Sequence, residues 1–558
     1  MSILHWNCRG YRANFEELKT LIMHQRGPAC ICLQESFHGT KTPLPPRGYE
    51  ILSGVPVTST DTTSRPSRGL LTLIKRGTPY SVITPTTDLE ALTVRIKLSR
   101  EYTICNLYIS PTEEININSI NELVSQLPRP FLILGDMNAR SQTWGDSTGN
   151  PHGRVFEELL VSSEISLLNN NSPTHFHLQT ASSSNIDLSL LSNDAINSFS
   201  WEAADDSYGS DHFPIILDEL HPSNPPTSNL PKKFNTNKAD WNKFYCETSI
   251  HPQTYNQITN IDELVDLFNN LIINAATASI PRYNPNPKYP VPWWSEECKQ
   301  AHKTRKTARR KYQRTKSPID KIALNRASAI ARYTKRQARK QSWQNYISSI
   351  NSETPIQKIW KRVNKISQKF KPSTTPCIKI GGNPILDKTD VSNALGEHWA
   401  RTSSNSFYSP DFNSLRERTE ITRLNFNSNN TEHYNSAITM NEINSFLQDC
   451  RNTAPGNDQI EYQMLKKMAP SAKALLHHIF NKIFTQQAFP KIWTESILIP
   501  ILKPDKPRDA PISYRPIALT SSVCKLLEKI VNNRLITTSK TTASSLLTNM
   551  VSARTAAQ

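Results

Sequence analysis

Short apolar runs recur along the first 217 residues, separated by polar stretches rich in Gly, Pro, Ser and Asn. "SILHW", "ACICLQE", "GLLTLIKR", "ALTVRIKL", "YTICNLYI", "FLILGD", "IDLSLLS" and "FPIIL" have the length and the alternating or continuous apolar pattern of strands. Three stretches follow a helical pattern instead. Residues 14–26 form one, with Asn14 as the expected cap, Glu16 and Glu17 in the first turn and "GP" after its end. Asn118–Leu127 and Gly153–Ser163 form the others. Strands with helices between them predict an α/β layered domain, two sheets packed face to face and covered by helices.

The texture changes after Leu217. "HPSNPPTSNLPKKFNTN" reads as a linker, a short helical patch surrounds Trp241, and "YNPNPKYPVPWW" reads as a Pro-rich hinge. Ala, Gln and Arg dominate the next stretch, where helix propensity is high apart from Pro318. Residues 372–440 are polar and poorly patterned, and the pattern tightens again from Met440. From Val523, apolar residues recur at Leu526, Leu527, Ile530, Val531 and Leu535, the spacing of a helix with one buried face. Five segments follow: a layered domain at 1–220, a linker with a short helix at 221–298, a basic helical region at 299–371, a polar linker at 372–439 and a further folded segment at 440–558.

Charge sharpens this division. Residues 1–217 hold 16 Lys and Arg against 22 Asp and Glu, a net of −6, so of the chain's +17 the remainder carries +23. Residues 299–340 alone hold 16 Lys and Arg against one acid, Asp320. An acidic front and a basic rear predict two jobs, the rear suited to a polyanion. Arg305, Lys306, Arg309, Arg310, Lys311 and Arg314 crowd together around Tyr312 and are expected to bind nucleic-acid phosphates, with a steep salt dependence. The nine cysteines show no Cys-x-x-Cys spacing; Cys30 and Cys32 read as buried strand thiols, which favours a reducing compartment. No signal peptide and no apolar run of membrane-spanning length occurs, so an intracellular location, nuclear or cytoplasmic, is expected without a membrane partner.

Polar residues sit where the front strands begin or end: Asn7, Glu35, Tyr108, Asp136 with Asn138, Asp187, and Asp211 with His212. Each alone reads as a turn or surface residue. Together at strand ends of one domain they suit phosphodiester hydrolysis. Glu35 and Asp211 are the expected ligands of Mg²⁺, with Mn²⁺ as a substitute and no small-molecule cofactor. Asp136 would take a proton from water, and Asn138 would orient it. His212 would donate to the phosphate while Asp187 holds its other ring nitrogen, and Asn7 and Tyr108 would donate to phosphate oxygens.

"WNCRG", "LQE", "NLYISP", "GDMNA", "SSNIDLSLLS" and "GSDHFPI", in this order, resemble the endonuclease/exonuclease/phosphatase superfamily, which includes deoxyribonuclease I and the apurinic endonucleases. The resemblance covers about residues 1 to 217. It implies a four-layer α/β/β/α sandwich, a Mg²⁺-dependent phosphoesterase, and the family's roles for the eight residues just named. Two positions depart from the abasic-site enzymes: Arg9 stands where they commonly carry an acid, and Pro111 where they carry an Asn. This argues against a dedicated abasic-site repair enzyme.

"PWWSEEC", the basic segment, "APGNDQI", "ESILIPILKPDKP" and "SYRPIALTSSVCKLLEKIVNNRL" follow in order. They resemble the open reading frame of a jockey-like non-long-terminal-repeat retrotransposon, in which an endonuclease precedes a reverse transcriptase. The resemblance implies a partial α+β fingers region at 440–558, and DNA and element RNA as partners. Lys503 follows an apolar strand and Arg515, in a Pro-bounded turn, would meet a triphosphate. The metal-binding aspartates of a polymerase palm do not occur in these residues; the nearest string, "EAADDS" at 202–207, lies in the front domain. The expectation is therefore a DNA-nicking endonuclease that leaves a 3′-hydroxyl primer, fused to an incomplete polymerase that is inactive by itself. The alternatives are an inactive remnant that only binds nucleic acid, and a phosphatase for small phosphates.

Overall fold

Side chains alternate along a strand, so each front strand presents one face to a neighbouring sheet and one to a helix. The computed structural model describes the chain apart from residues 40–41, 55–67, 221–232, 284–292, 352–353, 358, 361–362, 364–376, 422–432 and 557–558. It divides into two compact units, Met1–Thr227 with Lys288–Leu395, and Ser228–Pro287 with Gly396–Gln558. The first unit begins β1 (Ser2–Asn7), α1 (Phe15–His24), β2 (Cys30–Gln34), β3 (Tyr49–Ser53), β4 (Leu71–Lys75), β5 (Tyr80–Ile83), β6 (Glu90–Lys97) and β7 (Glu101–Tyr108). It continues with α2 (Ile117–Ser125), β8 (Phe131–Asp136), α3 (Pro151–Ser162), β9 (Ile165–Leu167), β10 (His175–His177), β11 (Ser182–Ser184), β12 (Asp187–Ser192), β13 (Phe199–Ala203) and β14 (Ile215–Glu219).

Twelve of these strands form two six-stranded sheets, in the orders β13-β14-β1-β2-β4-β3 and β5-β6-β7-β8-β12-β9, and β10 and β11 pair as a separate two-stranded sheet. Ile3, Cys30, Cys32 and Leu217 of the first sheet share a core with Ile104, Leu132, Leu134 and Leu191 of the second. The opposite faces meet helices. Leu4, Leu33 and Ile216 pack with Leu18 and Leu21 of α1. Ile133, Leu188 and Leu190 pack with Ile120 and Leu123 of α2 and Phe156 and Leu159 of α3. Burying each such side chain stabilises the fold by about 1.5–3 kcal/mol. All eight expected strands and the three front helices are present. Asn14 is a correction: its side chain does not cap α1 but donates through Nδ2 to the Cys8 carbonyl at 2.8 Å.

The same alternation places the polar strand ends. Asn7 continues the inward face of Ile3, Asp136 that of Leu132 and Leu134, Tyr108 that of Ile104, and Asp187 that of Leu191. All four therefore project at one end of the inter-sheet core. Gly135, just before Asp136, is required there, because a Cβ would lie 1.8 Å from the Leu107 carbonyl oxygen on β7.

Between its two segments run α4 (Trp241–Glu247) and α5 (Ile261–Ser279), which belong to the second unit. The first unit resumes with a helical pair, α6 (Glu296–Thr315) and α7 (Pro318–Ser348), the break falling at Lys316, whose φ is 53°. Ser317 caps α7 and Pro318 opens it. The basic region thus shares a unit with the sandwich rather than standing by itself. The second unit buries Leu264, Phe268 and Ile272 of α5 with Leu475, Phe480, Leu526 and Ile530. Residues 221–298 are accordingly not only a linker, since α5 is core. Arg515 is a second correction: it lies in the strand Tyr514–Leu519, paired with Ile501 of the strand Ile497–Leu502, and not in a turn. The apolar stripe from Val523 is buried as far as Ile530, but Leu535 is exposed.

Candidate active site

Asp136 and Asp187 face each other across the antiparallel β8–β12 pair, and both carboxylates are buried. His212 closes the pair from the turn before β14. Its Nδ1 lies 2.9 and 3.0 Å from the two Asp187 oxygens, and its Nε2 lies 3.8 Å from Asp136 Oδ2. Asn7 Nδ2 donates to Asp136 Oδ2 at 2.8 Å, and the Asn138 amide donates to Asp136 Oδ1 at 3.1 Å. The Asn138 side chain turns away and donates to the Ile109 carbonyl at 2.9 Å. Tyr108 Oη donates to Glu35 Oε1 at 3.1 Å, and Glu35 is half-buried at a backbone φ of 45°. The fold thus joins Asn7, Asp136, Asn138, Asp187 and His212 into one network, with the Tyr108–Glu35 pair as a second.

Burial pushes the Asp136 carboxyl upward, and Asp187 and Glu35 push it further, while His212 and Asn7 oppose them. Burial would lower His212, but Asp187 first and then Asp136 raise it to about 10, so the ring is charged at neutral pH. Asp211 sits well below the usual carboxylate range; burial opposes this, and His175, His212 and Arg9 outweigh it. Arg9 bonds Asp211 Oδ2 directly. His175 on β10 is a residue the sequence reading missed. Its Nε2 lies 3.9 Å from Asp211 Oδ2, and its ring centroid is 4.6 Å from that of His212.

Among the described residues, two side-chain groups bring ligand atoms within 4.8 Å of one another: His175, Asp211 and His212, and Asp136, Asp187 and His212. Clustered carboxylates, with Asp136 raised by burial and by the charges near it, suit a divalent cation, which relieves that repulsion. Glu35 fits as a ligand because it is half-buried and Tyr108 engages only one of its oxygens. Asp211 fits less well, because Arg9 already neutralises it.

The six residues of α6 expected to bind phosphates are not one open patch. Arg305 and Arg309 are buried and face the sandwich. Lys306 and Arg310 pair with Asp205, and Lys311 pairs with Asp320 at 2.9 Å. Arg314 is exposed, as are Arg326, Arg332, Arg336 and Lys340 on α7, interspersed with the exposed Tyr333 and Trp343. In the second unit Lys503 and Arg515 lie at the same end of one strand pair; Lys503 Nζ donates to the Ile512 carbonyl at 2.8 Å, and Arg515 is exposed. Cys30 and Cys32 are buried thiols, as expected. No helix among the described residues is long and apolar enough to cross a membrane.

Residues 102–216 match the protein family described as "Endonuclease-reverse transcriptase". The front unit is therefore endonuclease-like, and most of the chain is homologous to RNA-directed DNA polymerases of non-long-terminal-repeat retrotransposons. It is 26% identical over 449 residues to the probable RNA-directed DNA polymerase from transposon BS of Drosophila melanogaster, covering 77% of this chain and 47% of that protein. It is 24% identical over 551 residues to the RNA-directed DNA polymerase from mobile element jockey of the same species, covering 95% of this chain and 58% of that protein. The chain thus spans about half the length of these relatives. Among solved structures it is similar to the endonuclease domain of TRAS1, a telomere-specific non-LTR retrotransposon, at 18% identity and a TM-score of 0.33, over 39% of this chain and 98% of that domain.

Proposed function

We propose that the first unit hydrolyses a phosphodiester of DNA, nicking one strand of a target and leaving a 3′-hydroxyl, within a retrotransposon protein whose other partner is the element RNA. The observation that carries this reading is His212 held by Asp187 and facing Asp136 at the end of the inter-sheet core. Asp136 accepts the proton of the attacking water, its basicity raised by burial. The Asn7 and Asn138 donors fix its two oxygens. The charged His212 donates to the phosphate, and Tyr108 would do the same once its hydroxyl turns from Glu35. Glu35 would hold Mg²⁺, or Mn²⁺ in its place. When bound, such an ion neutralises a phosphate oxygen and stabilises charge on the leaving oxygen. The exposed Arg and Lys residues of α7, with Tyr333 and Trp343 among them, supply phosphate and stacking contacts to nucleic acid. Residues 440–558 contribute to a polymerase region, with Lys503 and Arg515 as its nucleotide contacts; polymerisation is not assigned to these residues.

The test is conversion of supercoiled plasmid to open circle by the full chain with Mg²⁺, alongside an EDTA control. EDTA is expected to abolish nicking, and Glu35→Gln to raise the Mg²⁺ needed for half-maximal rate by about 10–100-fold. Nicking that persists in EDTA would overturn the metal-dependent reading. The Arg9–Asp211 pair favours a second reading, an inactive protein that binds nucleic acid. Binding without nicking in the parent, with nicking regained in Arg9→Asp, selects that reading.

A further inference from the structure

Glu17 on α1 and Asp206 in the turn after β13 are buried carboxylates that the proposed chemistry does not use. The basic helical pair brings cations to both. Arg305 donates to the two Glu17 oxygens at 2.8 and 3.2 Å and to Asp206 Oδ2 at 3.0 Å. Lys335 of α7 donates to Glu17 Oε1 at 2.7 Å and lies over the Trp294 ring. These two cations dock the helices on the sandwich.

Arg309, one turn beyond Arg305, is different. It is as buried as Arg305, yet its hydrogen bonds among the described residues go to the turn and not to a carboxylate. One guanidinium nitrogen donates to Ser207 Oγ, and another reaches the Ser210 carbonyl at 3.5 Å. The guanidinium also stands 5.9 Å from the Phe213 ring centroid. Asp206 and Asp211 compensate its charge through space rather than by a hydrogen bond, and burying a cation so compensated is costly, so its contacts matter to the segment it holds. That segment is the turn carrying Asp211 and His212, and the Ser210 carbonyl belongs to the peptide that enters Asp211.

The turn is narrow. Tyr208 and Gly209 adopt φ of 50° and 96°, and a Cβ on Gly209 would lie 2.6 Å from Asn14 Oδ1. From within the sandwich, Ser210 Oγ donates to the Asn7 carbonyl at 2.8 Å and accepts from the His212 amide at 3.2 Å. Trp6 Nε1 donates to the His212 carbonyl at 3.1 Å. Arg309 holds the same turn from the other side. We propose that Arg309 is a positioning residue for the Asp211–His212 pair, so that α6 and α7 form the outer wall of the active site as well as a basic surface. The inference rests on the nuclease reading for its functional consequence, and on the turn geometry for its structural one.

Hydrogen exchange and nicking kinetics on the full chain separate the two. In Arg309→Met, the peptide spanning residues 205–213 is expected to exchange at least about tenfold faster, with β1, β8 and β12 unchanged. kcat should fall by about 10–100-fold with KM within about twofold, as expected for a misplaced rather than a missing group. Arg309→Lys keeps the charge but cannot span Ser207 and Ser210 together. It should fold like the parent and fall between the two in both readouts, and guanidinium added to Arg309→Met should recover part of kcat. Unchanged exchange at 205–213 in both variants overturns the inference whatever the nicking result. Loss of protection spread across β1, β8 and β12 also overturns it, since Arg309 would then support the whole fold. A parent chain that does not nick overturns the nuclease reading alone, and the exchange result still decides the placement of the turn.

Discussion

His212→Ala is expected to reduce single-turnover nicking by about 10³–10⁴-fold, because one substitution removes two contributions. The first is the charged donor to the phosphate, a loss worth about 10²–10³-fold where comparable preorganised donors are removed. The second is the state of Asp136. Asp136 and Asp187 are opposed in register and fully buried, and His212 is the cation that both of them face. Without it, two desolvated carboxylates confront each other, and the cheaper state places a proton on one of them. Asp136 is already raised by burial and by Asp187, so it takes that proton and can no longer accept one from water. His212→Gln keeps a neutral donor in a similar volume and should recover only part of the first contribution. Single-turnover rates with circular dichroism on each variant check this. A folded His212→Ala protein that nicks within about tenfold of the parent would remove His212 and Asp136 from the chemistry.

Strand β8 was legible because its inward face, Leu132 and Leu134, is apolar up to a polar last residue. "FLILGD" shows both the strand and Asp136 at its end. The separate β10–β11 pair was not legible: "HFH" and "SSS" are three residues each and mostly polar, too short for alternation to distinguish them from a loop. His175 was missed for that reason, since it becomes a neighbour of His212 only through the bridge that pairs them. Helix α5 is a different case. Ile261, Leu264, Val265, Phe268 and Ile272 have helical spacing, and Asn260 caps them, but Pro- and Asn-rich flanks suggested a linker.

The basic segment shows where composition misleads. Sixteen cations in 42 residues read as one polyanion-binding surface, yet a helix sends every third or fourth side chain to the same face. Arg305, Arg309 and Tyr312 share the face that packs on the sandwich, and α7 does the same with Leu324, Ala327, Ala331 and Lys335. Glu17 and Asp206 take Arg305, Glu17 also takes Lys335, and Asp205 takes Lys306 and Arg310, so the "DD" of "EAADDS" pairs with α6 rather than with a metal. Pairing across 288 residues has no local signature. Only the fold shows which cations pair within it and which, such as Arg332 and Arg336, stay exposed.

Arg305→Met is accordingly expected to destabilise the docking of α6 and α7 by about 3–5 kcal/mol, the usual cost of stranding buried charge. Burial by itself would raise both Glu17 and Asp206. Arg305 overrides it, with Lys335 helping at Glu17 and His302 and Arg309 at Asp206, so that Glu17 is lowered and Asp206 stands at about 2. His302 is a poor replacement, because burial lowers it to about 4 despite its contact of 3.2 Å with Asp206. Lys335 remains on Glu17, and Asp206 loses its strongest partner. Because both carboxyls are lowered on folding, their contribution is present above the unfolded carboxylate range and is lost as pH falls toward about 2. The parent should therefore release the helices progressively between about pH 5 and 2, and Arg305→Met should lack most of that acid sensitivity because its stabilisation is already gone. Adding Asp206→Asn to Arg305→Met should recover stability, since it removes the stranded charge, whereas Asp206→Asn alone should destabilise. Hydrogen exchange in α6 and α7 across this double-mutant cycle measures the coupling. Additive single effects, or an Arg305→Met loss below about 1 kcal/mol, would mean that the helices are held by apolar contacts such as Tyr312 against Phe176 rather than by the buried ion pairs.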